Sequence, residues 1–205
     1  MARNTTSIVK QSRREGYALH PKAHKALVKR TTPPGQTTTS RRRAKPSQYA
    51  IQLREKQKVK RLYGLMERQF AKLMGEASRS RGQSGTVLIE YLERRLDNAV
   101  YRSGFAASRQ SARQLVTHGH FLLNGRRVDI PSQRLKPGDK IELREHSKST
   151  DYFKHFDEIS PPPPAIPDWL TVDRKRVSVA IKALPTREDA EPDIKDQLIV
   201  EYYSR

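Results

Sequence analysis

The chain of 205 residues has no cysteine and a single tryptophan, and it is poor in aromatic residues (7%) and in hydrophobic residues generally (35%). Without cysteine there is no disulfide framework, no thiolate metal site and no cysteine nucleophile, a composition suited to a reducing compartment. Long apolar runs are also missing: none approaches the length of a membrane-spanning helix. The opening MARNTTSIVKQ lacks the apolar region of a secretory signal, so the cytoplasm is the expected location. Acids are scarce, 22 Asp and Glu against 41 Lys and Arg, which leaves a formal net charge of +19. Such an excess implies a polyanionic partner, and nucleic acid fits better than a membrane. The length allows one or two domains with a modest core.

What is present is organised around Leu88 to Arg144. Leu88, Leu92, Leu96, Ala99 and Val100 recur at helical spacing, and Gly104 closes that run as a left-handed cap. Ser108 stands as the N-cap of a second helix, in which Ala112, Leu115 and Val116 share a face before Gly119 stops it. Strands are predicted at Phe121 to Leu123 and Val128 to Ile130, on either side of the hairpin dipeptide Asn124-Gly125. After the turn Pro137-Gly138-Asp139, Lys140 to Leu143 alternates like a half-buried strand. Arg109 and Arg113 lie four apart on the second helix, and Arg126 and Arg127 follow the hairpin turn. Guanidinium forks on two rigid elements suit phosphates and recognise a folded RNA by shape.

Met1 to Pro46 is cationic and nearly without apolar period, and reads as an extended basic arm. Its clusters, Arg13-Arg14 and Arg41-Arg42-Arg43 with Lys45, are the expected phosphate grips. His20 and His24 have a metal-compatible spacing, but Pro21 between them argues against a helix there, and no metal site is expected. From Pro46 to Ala77, residues Val59, Leu62, Tyr63, Met66, Phe70, Leu73, Met74 and Ala77 give a helix one apolar face, with Gly64 able to kink or break it. Arg54, Lys56, Lys58, Lys60, Arg61 and Arg68 on the other face outnumber Glu55 and Glu67, so some should be solvated or bound to phosphate.

Pro161 to Pro164 with Pro167 is stiff, a spacer rather than a docking site for proline-reading domains. Trp169 to Asp173 and Val177 to Val179 read as short strands. Glu188, Asp189, Glu191, Asp193 and Asp196 form one acidic neighbourhood, expected to fold back onto protein rather than reach RNA.

The segments RLDNAVYRSGF, SARQLV, NGRRVDI and the PGD turn resemble the small RNA-binding module named after ribosomal protein S4. That module is also carried by pseudouridine synthases, RNA methyltransferases, a bacterial tRNA synthetase and a ribosome-rescue protein. QLREKQKVKRLYGLMERQF decides among these, because it resembles the ribosomal S4 family itself, as do Ser12 to Gly16, the Trp169-Leu170-Thr171-Val172-Asp173 stretch and the ending LIVEYYSR. The family's zinc-binding cysteines have no counterpart here, and its PGQHG becomes Pro34-Gly35-Gln36-Thr37-Thr38.

The resemblance implies an α+β protein with no cofactor: a basic arm at 1–46, a helical domain from 47–90 and 178–205, and an inserted RNA-binding domain at 91–177. It implies an RNA surface of Arg13, Arg14, Arg41, Arg42, Arg43, Lys45, Arg54, Lys56, Lys58, Arg61, Arg68, Ser108, Arg109, Arg113, His118, Asn124, Arg126 and Arg127. It further implies early binding to a junction of small-subunit rRNA, nucleation of the subunit body and a part in translational accuracy. Contact with ribosomal protein S5 follows as well, and a place for Arg42, Arg43 and Lys45 where mRNA enters. An RNA-modifying enzyme is the rival. The Arg-Leu-Asp triplet ending at Asp97 occurs in pseudouridine synthases, but it lies in the binding module, and no catalytic domain or glycine-rich cofactor loop remains unassigned. Repression of its own message stays open as a second activity.

Overall fold

The computed structural model describes residues 5–35 and 45–204 of the chain. They form two compact units, one of Met1–Leu88 with Pro192–Arg205 and one of Ile89–Glu191. The class is α+β.

The first unit is helical: α1 (Ile8–Glu15), α2 (Pro21–Lys29), α3 (Gln48–Leu62), α4 (Glu67–Ala77), the start of α5 (Ser84–Glu93) and, from the far end of the chain, α10 (Asp196–Tyr203). The arm read as extended therefore holds two helices among its described residues. Pro21 begins α2 instead of preventing it: at the first helical position its missing N–H breaks no bond, and His20 Nδ1 accepts the N–H of Lys22 at 3.1 Å. Ser12 ties the ends of α1 and the following turn, donating to Ile8 O at 2.8 Å and accepting from Leu19 N at 3.3 Å.

The long helical run ends at Gly64, whose φ of 65° closes a Schellman motif with Gly64 N on Arg61 O and Leu65 N on Lys60 O. α3 and α4 thereby fold back around a core of Val59, Leu62, Tyr63, Phe70, Met74 and Ala77. Full burial of Val59 and Phe70 contributes roughly 1.5–3 kcal/mol each. α10 closes this core: Gln52 donates to Glu201 at 2.8 Å, Tyr203 Oη donates to Glu67 at 2.9 Å, and the Phe70 and Tyr203 rings lie 6.2 Å apart.

The second unit runs from the end of α5 through α6 (Leu96–Arg102), α7 (Arg109–Thr117), β1 (Phe121–Leu123), β2 (Arg126–Val128) and β3 (Lys140–Leu143). The short α8 (Asp151–Lys154) and α9 (Phe156–Ile159) lead to β4 (Leu170–Asp173) and β5 (Ser178–Ile181). The sheet is antiparallel throughout, in the order β2-β1-β3-β5-β4. Leu123 pairs with Arg126, so Asn124-Gly125 is a two-residue turn with φ of 50° and 77°, and β2 starts at the arginines, two residues before the expected Val128.

Two further differences have local causes. The helical spacing from Leu88 to Val100 is interrupted at Arg94-Arg95, because the backbone there turns aside to bond residues 131–135, with Leu96 N on Gln133 O and Leu135 N on Arg94 O. The return to the helical unit begins at Pro192 rather than at residue 178, since Ser178–Ile181 is strand β5, paired on both sides. The core of this unit gathers Leu96, Val100, Phe105, Val116, Phe121, Ile141, Trp169 and Val179. Gly104, at φ 75°, ends α6, and Pro163 occupies the place where a Cβ would project. The proline run is thus anchored at Pro163, while Pro161, Pro162 and Pro164 stay exposed.

Candidate nucleic-acid interface

The expected row of four arginines in the second unit is divided by its surroundings. Ser108 caps α7 through Ser111 N at 3.2 Å, which sets Arg109 and Arg113 on the first two turns. Arg109 lies across the Tyr101 ring, 4.5 Å from its centroid, with Nε on Asn98 Oδ1 at 3.0 Å and NH2 on Glu191 at 3.0 Å. Arg113 donates to Asp97 at 3.2 Å, and Arg95 holds the same carboxylate with two bonds at 3.0 and 2.7 Å. In the free protein both arginines therefore tie α7 to α6.

Arg126 and Arg127 are exposed on the edge strand β2. As neighbours on a strand they point to opposite faces, so they cannot grip one phosphate together. Arg127 lies over Gly119, its Nε 2.6 Å from where a Cβ would stand. His118 is exposed at the end of α7 with its ring 6.1 Å from that of His120. Burial, and then the nearby His118 and Arg144, push the His120 imidazole below its ordinary pKa. Asn124 pins the hairpin, donating to Asp139 at 2.8 Å and accepting Lys140 N at 2.8 Å.

In the helical unit, carboxylates collect most of the cations expected to face RNA. Glu15, its side chain wholly buried, receives Arg54 at 3.2 Å and Arg61 at 2.5 Å, while its Oε2 is buried without a hydrogen bond. Burial raises the pKa of Glu15 above the usual carboxylate value, against the pull of both arginines. Lys56, expected to face phosphate, is 3% exposed, 2.7 Å from Glu67 and over the Tyr202 ring, so its ammonium is turned towards protein. Lys58 is held by Glu55 at 2.8 Å and Asp193 O at 2.7 Å. Burial acts against ionisation of Glu67, but hydrogen bonds from Lys56, Lys60 and Tyr203 prevail and bring its pKa down to about 2. Burial and then Glu67 push the Tyr203 phenol up.

What remains outward is a different set. Arg13 bridges α1 to the carbonyl of Thr32 at 2.9 and 3.1 Å, whereas Arg14, Lys45 and Arg68 are exposed. Arg41, Arg42 and Arg43 lie outside the described residues. Lys10 and Arg14, four apart, share the outer face of α1; Lys22, Lys25 and Lys29 line α2; and Lys72 follows Arg68 by one turn on α4. Sequence reasoning passes over Lys10, Lys22, Lys25, Lys29 and Lys72. Their i, i+3, i+4 and i+7 spacing is the available signal, hidden in the arm by the reading of Pro21 as a helix breaker.

This surface can bind a polyanion through phosphates. Among the described residues no three His, Asp or Glu side chains gather to hold a metal ion, and no helix is long and apolar enough to cross a membrane.

Residues 3–93 match the family described as ribosomal protein S4/S9 N-terminal domain, and residues 94–141 match the S4 domain. The chain is 50% identical over 206 residues to the small ribosomal subunit protein uS4 of Chlorobaculum tepidum. It is 47% identical over 216 residues to that of Herpetosiphon aurantiacus and 48% identical over 206 residues to that of Chloroflexus aurantiacus. Each alignment covers 100% of both chains.

Proposed function

The chain belongs to the ribosomal protein S4 family, and on that premise we propose how it works in the ribosome. It is a structural constituent of the small ribosomal subunit in the cytoplasm, it binds rRNA, and it is not an enzyme. Within that role it acts as a primary binder, attaching to a multi-helix junction of naked small-subunit rRNA and nucleating the subunit body. The observation that carries this reading is the sorting of charge: Glu15 and Glu67 are taken up by internal cations, while Lys10, Arg14, Lys22, Lys25 and Lys29 face outward with phosphate as the natural guest. Arg126 and Arg127 add the contacts of the inserted module.

The acidic stretch around Glu188 and Asp189 supports a protein contact, for which ribosomal protein S5 is the proposed partner, and through it an effect on translational accuracy. Arg42, Arg43 and Lys45 are assigned to the place where mRNA enters. Sedimentation of lysate in low magnesium, with mass spectrometry across the gradient, tests the whole: stoichiometric presence in the small-subunit peak is expected, and a mainly free chain would refute it. For the finer claim, purified protein is mixed with small-subunit rRNA alone. Specific binding is expected, and a requirement for other ribosomal proteins would remove the role of primary binder.

A further inference from the structure

Arg102 and Arg109 converge on a single carboxylate oxygen. Arg109 NH2 donates to Glu191 Oε1 at 3.0 Å, and Arg102 NH2 stands 3.7 Å from that same atom. Each guanidinium also has an anchor that does not involve Glu191. Arg102 is forked onto Glu93 through Nε at 3.1 Å and NH2 at 2.9 Å, and the Glu93 side chain is completely buried. Arg109 is fixed by Asn98 Oδ1 and by the face of Tyr101. Asn98 in turn donates to Glu93 Oε2 at 2.8 Å. A ring of five side chains thus closes across α5, α6, α7 and the segment that ends at Glu191.

Glu191 is the least anchored member. Its side chain is the most exposed of the ring's charged groups, at 24%, and it stands at the last position of its unit, just before Pro192. Remove it, and two guanidiniums remain oriented towards the same point by buried partners. Paired, pre-oriented guanidiniums suit a phosphate oxygen as well as a carboxylate oxygen.

The geometry points to an anion site for an RNA backbone phosphate at Arg102 and Arg109, filled in the free protein by Glu191 and given up to phosphate when RNA binds. The inference rests on the rRNA-binding reading above. Carboxylate and phosphodiester each carry one negative charge, so the exchange is nearly neutral at the site, and release of the counterions condensed on the RNA favours it. Glu191 is then a latch: it keeps the two arginines paired until RNA replaces it, and its departure frees the chain leading to Pro192.

The test uses the full chain and a small-subunit rRNA fragment. Glu191→Gln keeps the size and removes the competing charge, so affinity should rise up to about fivefold, the range of one partly exposed ion pair. The rise should vanish when Arg109→Gln is added. Unchanged or weaker binding by a folded Glu191→Gln protein would overturn the latch. Hydrogen exchange on the wild type supplies a measurement that needs no variant: residues 182–191 should exchange faster once RNA is bound, and slower or equal exchange would count against displacement. If the wild type fails to bind rRNA at all, the rRNA reading falls first. Inorganic phosphate titrated into Glu191→Gln then reports on the site by itself, through the Nε resonances of Arg102 and Arg109, which should shift if the pair is an anion site.

Discussion

Replacing Arg113 with glutamate would set a carboxylate beside Asp97, which is 5% exposed and already bound by Arg95. The same change at Arg126 would meet only solvent and the strand edge. Arg113→Glu should therefore lower stability by about 3 kcal/mol, the cost of breaking a buried ion pair from one side. Arg126→Glu should leave the melting temperature unchanged and weaken rRNA binding. Thermal melts beside filter binding check both, and an Arg113→Glu protein that melts like the wild type would refute the assignment. The sequence makes the two arginines look alike, because nothing in the spacing shows that Asp97 is turned inward. Val177 is equally hidden: it is 9% exposed with φ of 51°, a left-handed β-branched residue that no propensity rule would place in the turn before β5.

At the level of elements, the Gly104 turn and the clasp of α4 with α10 carry opposite lessons. Gly104 is legible as a helix stop, but its tight approach to Pro163, fifty-nine residues later, is not. Gly104→Ala should cost more than about 1 kcal/mol, since it combines a left-handed backbone with a collision, and urea denaturation should register it as a lower midpoint at unchanged slope. The clasp predicts a pH response. Glu67 has its folded pKa lowered to about 2, below the unfolded carboxylate value, so its contribution is full above the unfolded pKa and is lost as pH falls towards about 2. Glu15, raised by burial, has the opposite sign: it weighs against the fold when ionised and ceases to do so as it gains a proton. Stability of Glu67→Gln, measured by urea midpoints between pH 6 and about 2.5, should fall less steeply with acid than that of the wild type. Identical acid limbs would show that the clasp does not depend on this carboxylate.

For the whole molecule, the net charge of +19 is plain from composition, but which cations face outward depends on where the few acids sit. Spacing alone puts Lys56 and Lys58 on a phosphate-facing surface, yet carboxylates hold Lys56 in a buried place and Lys58 in a half-buried one, and the lysines of α2 are presented to solvent. Deleting the arm is thus a poor probe of its charge, since Arg54 and Arg61 would lose Glu15. The triple change of Lys22, Lys25 and Lys29 to glutamine is cleaner. It should weaken rRNA binding evenly and reduce the slope of log affinity against log salt by about one for each phosphate that these lysines neutralise. An unaltered slope would remove α2 from the interface. The α+β class, the hairpin and the break at Gly64 are legible because turn chemistry and periodicity are local. The α5–α6 interruption and the Pro192 boundary are not, because both are set by pairing with strands and loops far along the chain.

The helical unit is assembled from the two outer parts of the chain, Met1–Leu88 and Pro192–Arg205, around an uninterrupted inner one. During synthesis the inner unit is complete in sequence before the outer one has its last helix, so it can fold first while Phe70 and Glu67 still await Tyr203. A nascent chain halted before Asp196 would carry a finished module beside an open core, with the Glu67 clasp unmade and apolar surface left for chaperones or proteases to find. The closing helix is thus the piece that completes the helical core, and protection of α3 and α4 should arrive with it.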